Sequence, residues 1–364
     1  VASSVSFRND IIIRGGAPNE NRFYLDGIEV PNINHFATQG SSGGPVGMIN
    51  VNFLREVDLI TSAFPANRGN AMSSVFEFKM KEGNDKKLLT TATVGASDLG
   101  LTFDGPLGKK SNFIFSARRS YLQFLFKALG LPFLPAYNDA QFKYTYRFKN
   151  NDELKVIGLG ALDDFSLNLD ANETEYQKYL LDNLPVNKQW NYTVGSSYKH
   201  LMKNGNIQFF ISRNHLNNEA VKYYRNDDSD PANLIQDYSS QEIENKFRYE
   251  QVYRNDFFKL VFGAGIEDVT YTNSTFNKIV ISSGPVTVDF NSELRFLKMG
   301  AFVQASKAFL EERLTVSAGL RTDWNTYSTI MMRAQDQLSP RVSLSYDITE
   351  HVSVNMSTGR YFQL

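Results

Sequence analysis

Apolar and polar side chains alternate along most of the chain after residue 88. The pattern is clearest in segments 142–149, 314–321, 341–348 and 352–357, where every second residue is apolar and the residues between are polar or small. A period of two places successive side chains on opposite faces, which predicts half-buried β-strands. A water-facing sheet and a membrane barrel share this pattern, so it does not choose between them.

The connections between the strands are more informative, because they alternate between short and long. The short ones are 105–112, 150–152, 202–206, 254–256, 310–312 and 349–351, and the long ones are 122–140, 163–189, 216–240, 271–292 and 325–339. Outer-membrane barrels have short periplasmic turns and longer extracellular loops. We therefore predict an all-β fold, a transmembrane antiparallel β-barrel with about thirteen strands.

Composition fits this prediction and excludes other classes. The chain has 364 residues, 28 Phe, 18 Tyr and 2 Trp, and barrels concentrate aromatic rings at both lipid interfaces. A net charge of −1 gives no cationic surplus for binding nucleic acid. Cysteine is absent, which excludes disulfides and thiolate sites. The mean hydropathy of −0.34 resembles that of a soluble protein, as expected when alternate residues face lipid and a polar lumen.

An odd number of strands does not fit a closed single-chain barrel, because such barrels have an even number. An open barrel would expose unpaired backbone groups to lipid. We therefore expect this sequence to hold an incomplete barrel, occupying residues 84–364, whose remaining strands lie outside it.

The first 83 residues have a different pattern, with short apolar runs among Gly and Asn. Segment 11–16 predicts a short strand followed by a turn, and 23–30 predicts two strands joined by an Asp26-Gly27 hairpin. Segment 53–60 predicts a helix end that leads into a strand, and 75–81 alternates again. These elements predict a small α+β unit ahead of the long meander.

In this order, the elements resemble the plug domain of TonB-dependent outer-membrane receptors. The matching landmarks are the Ile13-Arg14-Gly15 turn, the strand pair around Asp26-Gly27 and the strand 57–60. Segment 116–121 is similar to a strand of Bacteroidota-type receptors. Ser73 and Ser74 stand where the family usually has a Gly-Gly pair, so the local turn differs. We call residues 1–83 the plug and expect its amino-terminal part and the TonB-binding box to lie outside this sequence.

The resemblance implies active import at the bacterial outer membrane. A plug closes a barrel of roughly 22 strands, of which roughly nine would lie outside this sequence. TonB pulls on the box to open a path for a scarce, bulky solute such as a siderophore, cobalamin, an oligosaccharide or a peptide. The implied partners are TonB, the solute and the lipid bilayer, with no cofactor; a surface lipoprotein encoded nearby would point to glycans or peptides.

The resemblance assigns Arg14, Gly15, Asp26 and Gly27 to the geometry of the plug. Loop 31–45 is the candidate solute-contacting loop, because its polar residues surround an aromatic platform. Its candidate contacts are Asn32, Asn34, His35, Phe36 and Gln39. A flexible connector is the alternative for this loop. Arg118 lies on the polar face of its strand and is a candidate contact between lumen and plug, with acidic residues of the plug as its expected partners; a solvated lumen arginine is the alternative.

Motifs that would indicate an enzyme or a metal site are weak. Gly158-Leu159-Gly160 has no third glycine and no following helix, and Ser196 and Lys199 fall on opposite faces of a strand. The four histidines have no ligand spacing. Segment 227–230 lacks the glycine and distal glutamate of an EF-hand.

We therefore predict a receptor that is not an enzyme and has no metal site. An outer-membrane barrel enzyme and a soluble β-rich binding protein are the alternatives. The sequence does not identify the solute, because loops determine it.

Overall fold

The computed structural model describes residues 2–5, 8–37, 43–281 and 284–363. The plug contains eight short strands. They are β1 (Ala2–Val5), β2 (Arg8–Ile13), β3 (Asn21–Leu25), β4 (Ile28–Glu29), β5 (Asn34–His35), β6 (Val46–Gly47), β7 (Leu54–Ile60) and β8 (Ser74–Met80). A four-stranded sheet in the order β4-β3-β8-β7 forms its centre, and β1-β2 and β5-β6 form two-stranded sheets beside it.

Thirteen further strands form one continuous antiparallel sheet, which we call the wall. They are β9 (Leu89–Val94), β10 (Asp98–Gly108), β11 (Ser111–Ser120), β12 (Phe133–Arg147), β13 (Glu153–Leu167), β14 (Val186–Met202), β15 (Gly205–Tyr223), β16 (Leu234–Arg254), β17 (Lys259–Ile281), β18 (Gly284–Phe309), β19 (Leu314–Asn325), β20 (Leu338–Thr349) and β21 (Val352–Gly359). Each strand pairs with the next in sequence. The prediction of about thirteen antiparallel strands is therefore confirmed.

The wall is open, because β9 and β21 form its two edges in the described part of the chain. Two α-helices occur in the described residues, and both lie in outer connections: α1 (Leu122–Ala128) between β11 and β12, and α2 (Glu175–Asn183) between β13 and β14. In the described ranges, neither helix combines the length and apolar character needed to cross a membrane.

The long outer connections are shorter than the sequence predicts. The segment 271–292, read as a loop, lies almost entirely within β17 and β18, and most of 216–240 lies within β15 and β16. The strands continue through these segments because their backbone pairing is maintained without interruption between β16, β17 and β18. Loop composition therefore misplaced these boundaries, and the alternation of short and long connections fails between β17 and β18, because only two residues separate these strands.

The plug and the wall share one hydrophobic core. Plug residues Phe23, Leu25, Ile28 and Met48 pack in a buried cluster with lumen-facing wall residues, namely Ile114, Ile157, Leu159, Ala161 and Phe210. This explains why β13 is apolar on both faces: Leu159 faces the plug, whereas Leu162 faces outward and is exposed. The lumen is thus polar in part only.

Candidate functional site: the interface of plug and wall

Two tight turns shape the plug, and both use left-handed backbone at consecutive residues. Arg14 and Gly15 have φ of 54° and 75°, and Asp26 and Gly27 have φ of 47° and 85°. The first turn is closed by a hydrogen bond from the Gly16 amide to the Ile13 carbonyl at 3.1 Å. Gly27 is further restricted, because an added Cβ would lie 2.8 Å from the Phe210 ring.

Asp26 connects the second turn to the wall. Its side chain accepts a hydrogen bond from the Met80 amide at 3.0 Å and lies 2.8 Å from the Nζ of Lys143 on β12. Lys143 also contacts Glu82 at 2.8 Å and is buried. A buried lysine requires such partners, because removing an ammonium group from water is costly. This cluster fixes the lower end of the plug, near the short turns.

A second charged cluster joins the plug to β16 and β17. Lys246 lies 2.9 Å from Glu29 of the plug, 2.9 Å from Glu244 and 3.6 Å from Glu267. Burial alone would raise the pKa of Glu29, but Lys246 and then Arg22 lower it to about 2. Glu29 is therefore ionised at neutral pH, and its charge holds the hairpin of β3 and β4 against the wall.

Arg68 links the plug to β16 near the centre of the lumen. It donates to Glu77 of the plug at 2.8 Å and to Glu250 of the wall at 3.3 Å, and its guanidinium lies 4.4 Å from the centre of the Tyr24 ring. Burial opposes its charge, but Glu250 and Glu77 raise its pKa. Arg248 of the wall donates to the Gly27 carbonyl.

Plug loop 61–73 is held by the last described strands of the wall. Arg341 on β20 donates to the carbonyls of Phe64, Pro65 and Arg68 at 3.0, 2.7 and 2.8 Å. Gln304 on β18 accepts from the Ala66 amide at 2.8 Å. Carbonyls of an irregular loop need such donors when they are buried, so the wall completes the hydrogen bonding of this loop.

His35, at the outer side of the plug, contacts carboxylates of the wall through both of its ring nitrogens. Its Nδ1 lies 2.6 Å from Asp163 on β13, and its Nε2 lies 3.0 Å from Asp139 on β12. The Phe36 amide donates to the second oxygen of Asp163 at 2.7 Å. Both ring nitrogens face carboxylates, and only the protonated imidazole can donate from both.

The charge of His35 follows from the same contacts. Burial alone would lower its pKa, but the hydrogen bonds with Asp139 and Asp163 outweigh burial and raise it. The Tyr137 ring packs 4.2 Å from the imidazole, and the His35 side chain has no exposed surface. The imidazole is thus enclosed against two carboxylates of the wall, which favour its protonated form.

Arg118 on β11 extends this contact. Its Nε donates to both oxygens of Asp139 at 3.0 Å, and its Nη2 donates to the carbonyls of Gly47 and Met48 at 2.9 and 2.8 Å. Arg118 therefore touches the plug through backbone carbonyls, and its carboxylate partner lies on the wall. The sequence suggested plug acids as its partners, and no such acid pairs with it in the described residues.

The other candidate residues of loop 31–45 differ in exposure. Asn34 and His35 are buried, whereas Asn32 and Phe36 are half-buried. Phe36 adopts a left-handed backbone with φ of 53°. The candidate contact Gln39 lies outside the described residues. Gln189 of β14 closes the described end of the loop, accepting from the Ala37 amide at 2.9 Å and donating to its carbonyl at 2.6 Å.

Sequence reasoning missed the wall residues that hold the plug. They are Asp139, Lys143, Asp163, Lys246, Glu250 and Arg341. The available signal was strand parity, since all of them lie on the lumen face. In the described residues, no group of three or more His, Cys, Asp or Glu could hold a metal ion.

Comparison with known proteins identifies the family of this chain. The model of the TonB dependent receptor-like β-barrel family matches residues 133–364, more than half of the sequence. The chain therefore belongs to this family, and it is a bacterial outer-membrane protein. No curated protein matches the sequence.

Solved receptors share the fold at low sequence identity. The ferric enterobactin receptor PfeA of Pseudomonas aeruginosa matches with a TM-score of 0.68 and 14% identity, over 97% of this chain and 55% of that one. The siderophore receptor PirA of Acinetobacter baumannii matches with a TM-score of 0.67 and 12% identity, over 97% and 55%. The copper transporter OprC matches with a TM-score of 0.66 and 12% identity, over 98% and 58%. The chain thus spans somewhat more than half the length of these proteins.

Proposed function

We propose that the protein is a receptor for active import across the outer membrane, in which TonB displaces the plug to admit a scarce, bulky solute. One observation carries this proposal: the plug is seated in the curve of the wall and bound to it by charged side chains from β11, β12, β13, β16 and β20. A plug that never moved would prevent any solute from passing through the lumen. Import therefore requires that energy be used to displace the plug.

We propose only the class of the solute and not its identity. The similar structures are named for ferric siderophore complexes and for copper, and cobalamin, oligosaccharides and peptides stay open. We propose that loop 31–45 reaches the solute through Asn32, Phe36 and Gln39, while Asn34 and His35 fix the loop to the wall. Segment 116–121 favours a Bacteroidota-type receptor, and the boundary of the plug near residue 83 stays a prediction.

A disulfide between plug and wall tests whether the plug must move. An added Cβ at Gly319 of β19 would lie 3.1 Å from the Cβ of Ala66, and disulfides join Cβ atoms roughly 3.5–4.5 Å apart. This sequence has no cysteine of its own. With any cysteine elsewhere in the full-length receptor replaced by serine, the pair Ala66→Cys and Gly319→Cys forms a single defined bond. The full-length receptor is expressed in a deletion strain grown on limiting iron, limiting copper or a single glycan.

In the medium that requires the receptor, oxidation should abolish growth and reduction should restore it. The two single-cysteine variants are the controls and should grow under both conditions. Growth of the oxidised double variant equal to that of the controls would contradict import past the plug. It would favour the alternative of a barrel enzyme, whose chemistry needs no displacement of the plug.

A further inference from the structure

The outer part of β18 carries an unpaired strand edge. Pairing between β18 and β19 ends at Lys298 and Asn325, and no strand in the described part of the chain pairs with residues 284–297 on that side. On its other side, β18 pairs continuously with β17 up to Gly284, without a bulge. The edge is therefore straight and about thirteen residues long, or ~40 Å.

The contact between Leu297 and Thr326, just beyond the last paired residues, shows which backbone groups of β18 point to the open side. The Leu297 carbonyl accepts from the Thr326 amide at 3.0 Å, and the Leu297 amide donates to the Thr326 hydroxyl at 2.9 Å, so both groups of Leu297 point toward β19. Alternate residues of a strand point to the same side. The residues whose N–H and C=O point to the open side are therefore Thr287, Asp289, Asn291, Glu293 and Arg295.

The polarity of the two faces inverts near Leu297 of β18. Below this point, Met299, Ala301 and Val303 face outward, whereas Lys298 and Gly300 line a cavity beside the plug. Above it, the outward face is polar, and Arg295 pairs there with Asp268 at 3.1 Å. The inner face becomes apolar, with Val286, Phe290 and Leu294 exposed by 39, 48 and 36%.

A strand edge with unpaired backbone groups pairs readily with other chains, and an exposed apolar stripe marks an interaction site. We propose that this edge is the docking site for an extended segment of a partner polypeptide, which adds a strand beside β18. Its backbone would pair with the five open residues, and its alternate apolar side chains would cover Val286, Phe290 and Leu294.

The outward face indicates the charge of the partner. Along the open edge it carries Asp289 and Glu293, while Arg295 is already paired with Asp268. Opposite charges across paired strands stabilise and like charges destabilise. The segment that fits therefore alternates apolar residues with Lys or Arg. This inference does not depend on which solute is imported.

The test uses the full-length receptor in lipid nanodiscs and a fluorescent nine-residue peptide that alternates Val and Lys. Fluorescence anisotropy measures its affinity, and a second peptide carries N-methyl groups on the residues that would pair with β18. We expect the first peptide to bind at least tenfold more tightly than the methylated one, which has the same charge. Hydrogen exchange at residues 287–295 should slow when the first peptide binds.

Two pairs of variants localise the contact. Asn291→Pro removes an edge donor, and proline is tolerated on edge strands; Asn291→Thr keeps the donor. We expect Asn291→Pro to weaken binding at least tenfold and Asn291→Thr to leave it within twofold. Phe290→Ser should also weaken binding, whereas Asn291→Ser on the other face should not.

Several results would overturn the proposal. Equal affinity of the two peptides would show attraction by charge alone. Unchanged binding by Asn291→Pro would place the peptide elsewhere. Slow hydrogen exchange without peptide at the amides of the five open residues would show that the receptor's own segments, or a second copy, already cover the edge. Thermal unfolding of each variant, if it matches that of the unaltered receptor, shows that the hairpin of β17 and β18 is intact.

Discussion

At the scale of single residues, two glycines of the plug are required for different reasons: one for its backbone conformation alone, the other for its conformation and for lack of space. Gly15 and Gly27 both have left-handed backbone, yet nothing lies within 4 Å of an added Cβ at Gly15, whereas the Phe210 ring lies 2.8 Å from one at Gly27. The sequence identifies both turns. Only the tertiary structure shows that the second turn lies against the wall.

This difference predicts unequal effects of two identical substitutions. Gly15→Ala should cost about 1–2 kcal/mol, the cost of left-handed backbone for a residue with a Cβ. Gly27→Ala should cost more, because the ring must also move, and overpacking adds ~1–3 kcal/mol. Chemical denaturation of the receptor measures both, and equal losses of stability would show that Phe210 adjusts freely.

His35 gives the plug a dependence on pH. Its pKa is raised by Asp139 and Asp163 above the ordinary value of ~6.5. A group whose pKa is higher in the folded state stabilises fully below its ordinary pKa, and this contribution is lost as the pH rises through the raised pKa. Hydrogen-exchange protection of residues 33–37 should therefore be high at pH 6 and fall at higher pH.

The variant His35→Gln tests the source of this dependence. It should lower protection of the loop at pH 6 and remove the change with pH, because glutamine does not titrate in this range. His351→Gln, at an exposed turn, is the matched control and should behave like the unaltered receptor. A pH dependence that persists in His35→Gln would assign it to another group.

At the scale of elements, the plug loops take their shape from the strands of the wall. Loop 61–73 has little secondary structure, and Arg341 supplies donors to three of its carbonyls. Gln189 holds Ala37 of loop 31–45 in the same way, and Arg118 holds Gly47 and Met48 directly after that loop. Neither loop could be assigned a shape from its sequence, because its hydrogen-bond partners lie far along the chain.

Replacing Arg341 should loosen loop 61–73. Arg341→Ala removes the two N–H groups of Nη1 that these three carbonyls share, at a cost of roughly 1–3 kcal/mol for each carbonyl left unpaired. We expect faster hydrogen exchange and proteolysis across residues 61–73. Arg313→Ala is the control, because the Arg313 side chain donates to carbonyls near the other end of β20, at Asp347 and Ile348. Unchanged proteolysis in Arg341→Ala would show that other contacts suffice.

At the scale of the whole molecule, plug and wall are one folding unit rather than two independent parts. The core beneath the hairpin of β3 and β4 is completed by Ile114, Ile157 and Leu159 of the wall. On the function proposed above, displacement of the plug must therefore break apolar packing as well as ion pairs.

Two leucines on β13 test this sharing of the core. Leu159→Ala leaves a cavity under the plug and should destabilise it by about 2–5 kcal/mol. Leu162→Ala, three residues along on the outward and 58% exposed face, should have a much smaller effect. Protection of the plug against hydrogen exchange measures the difference, and equal effects of both variants would contradict a shared core.

The sequence by itself determined the class of this protein. Three signals depend only on residues close together in the sequence, so they can be read along the chain. They are the period of two, the alternation of short and long connections, and the plug landmarks at Arg14-Gly15 and Asp26-Gly27. The tertiary structure decided the interface. His35 meets Asp139 and Asp163, and Glu29 meets Lys246, across more than a hundred residues of intervening chain. Strand parity shows that such groups face the lumen, but only the folded wall sets which of them meet.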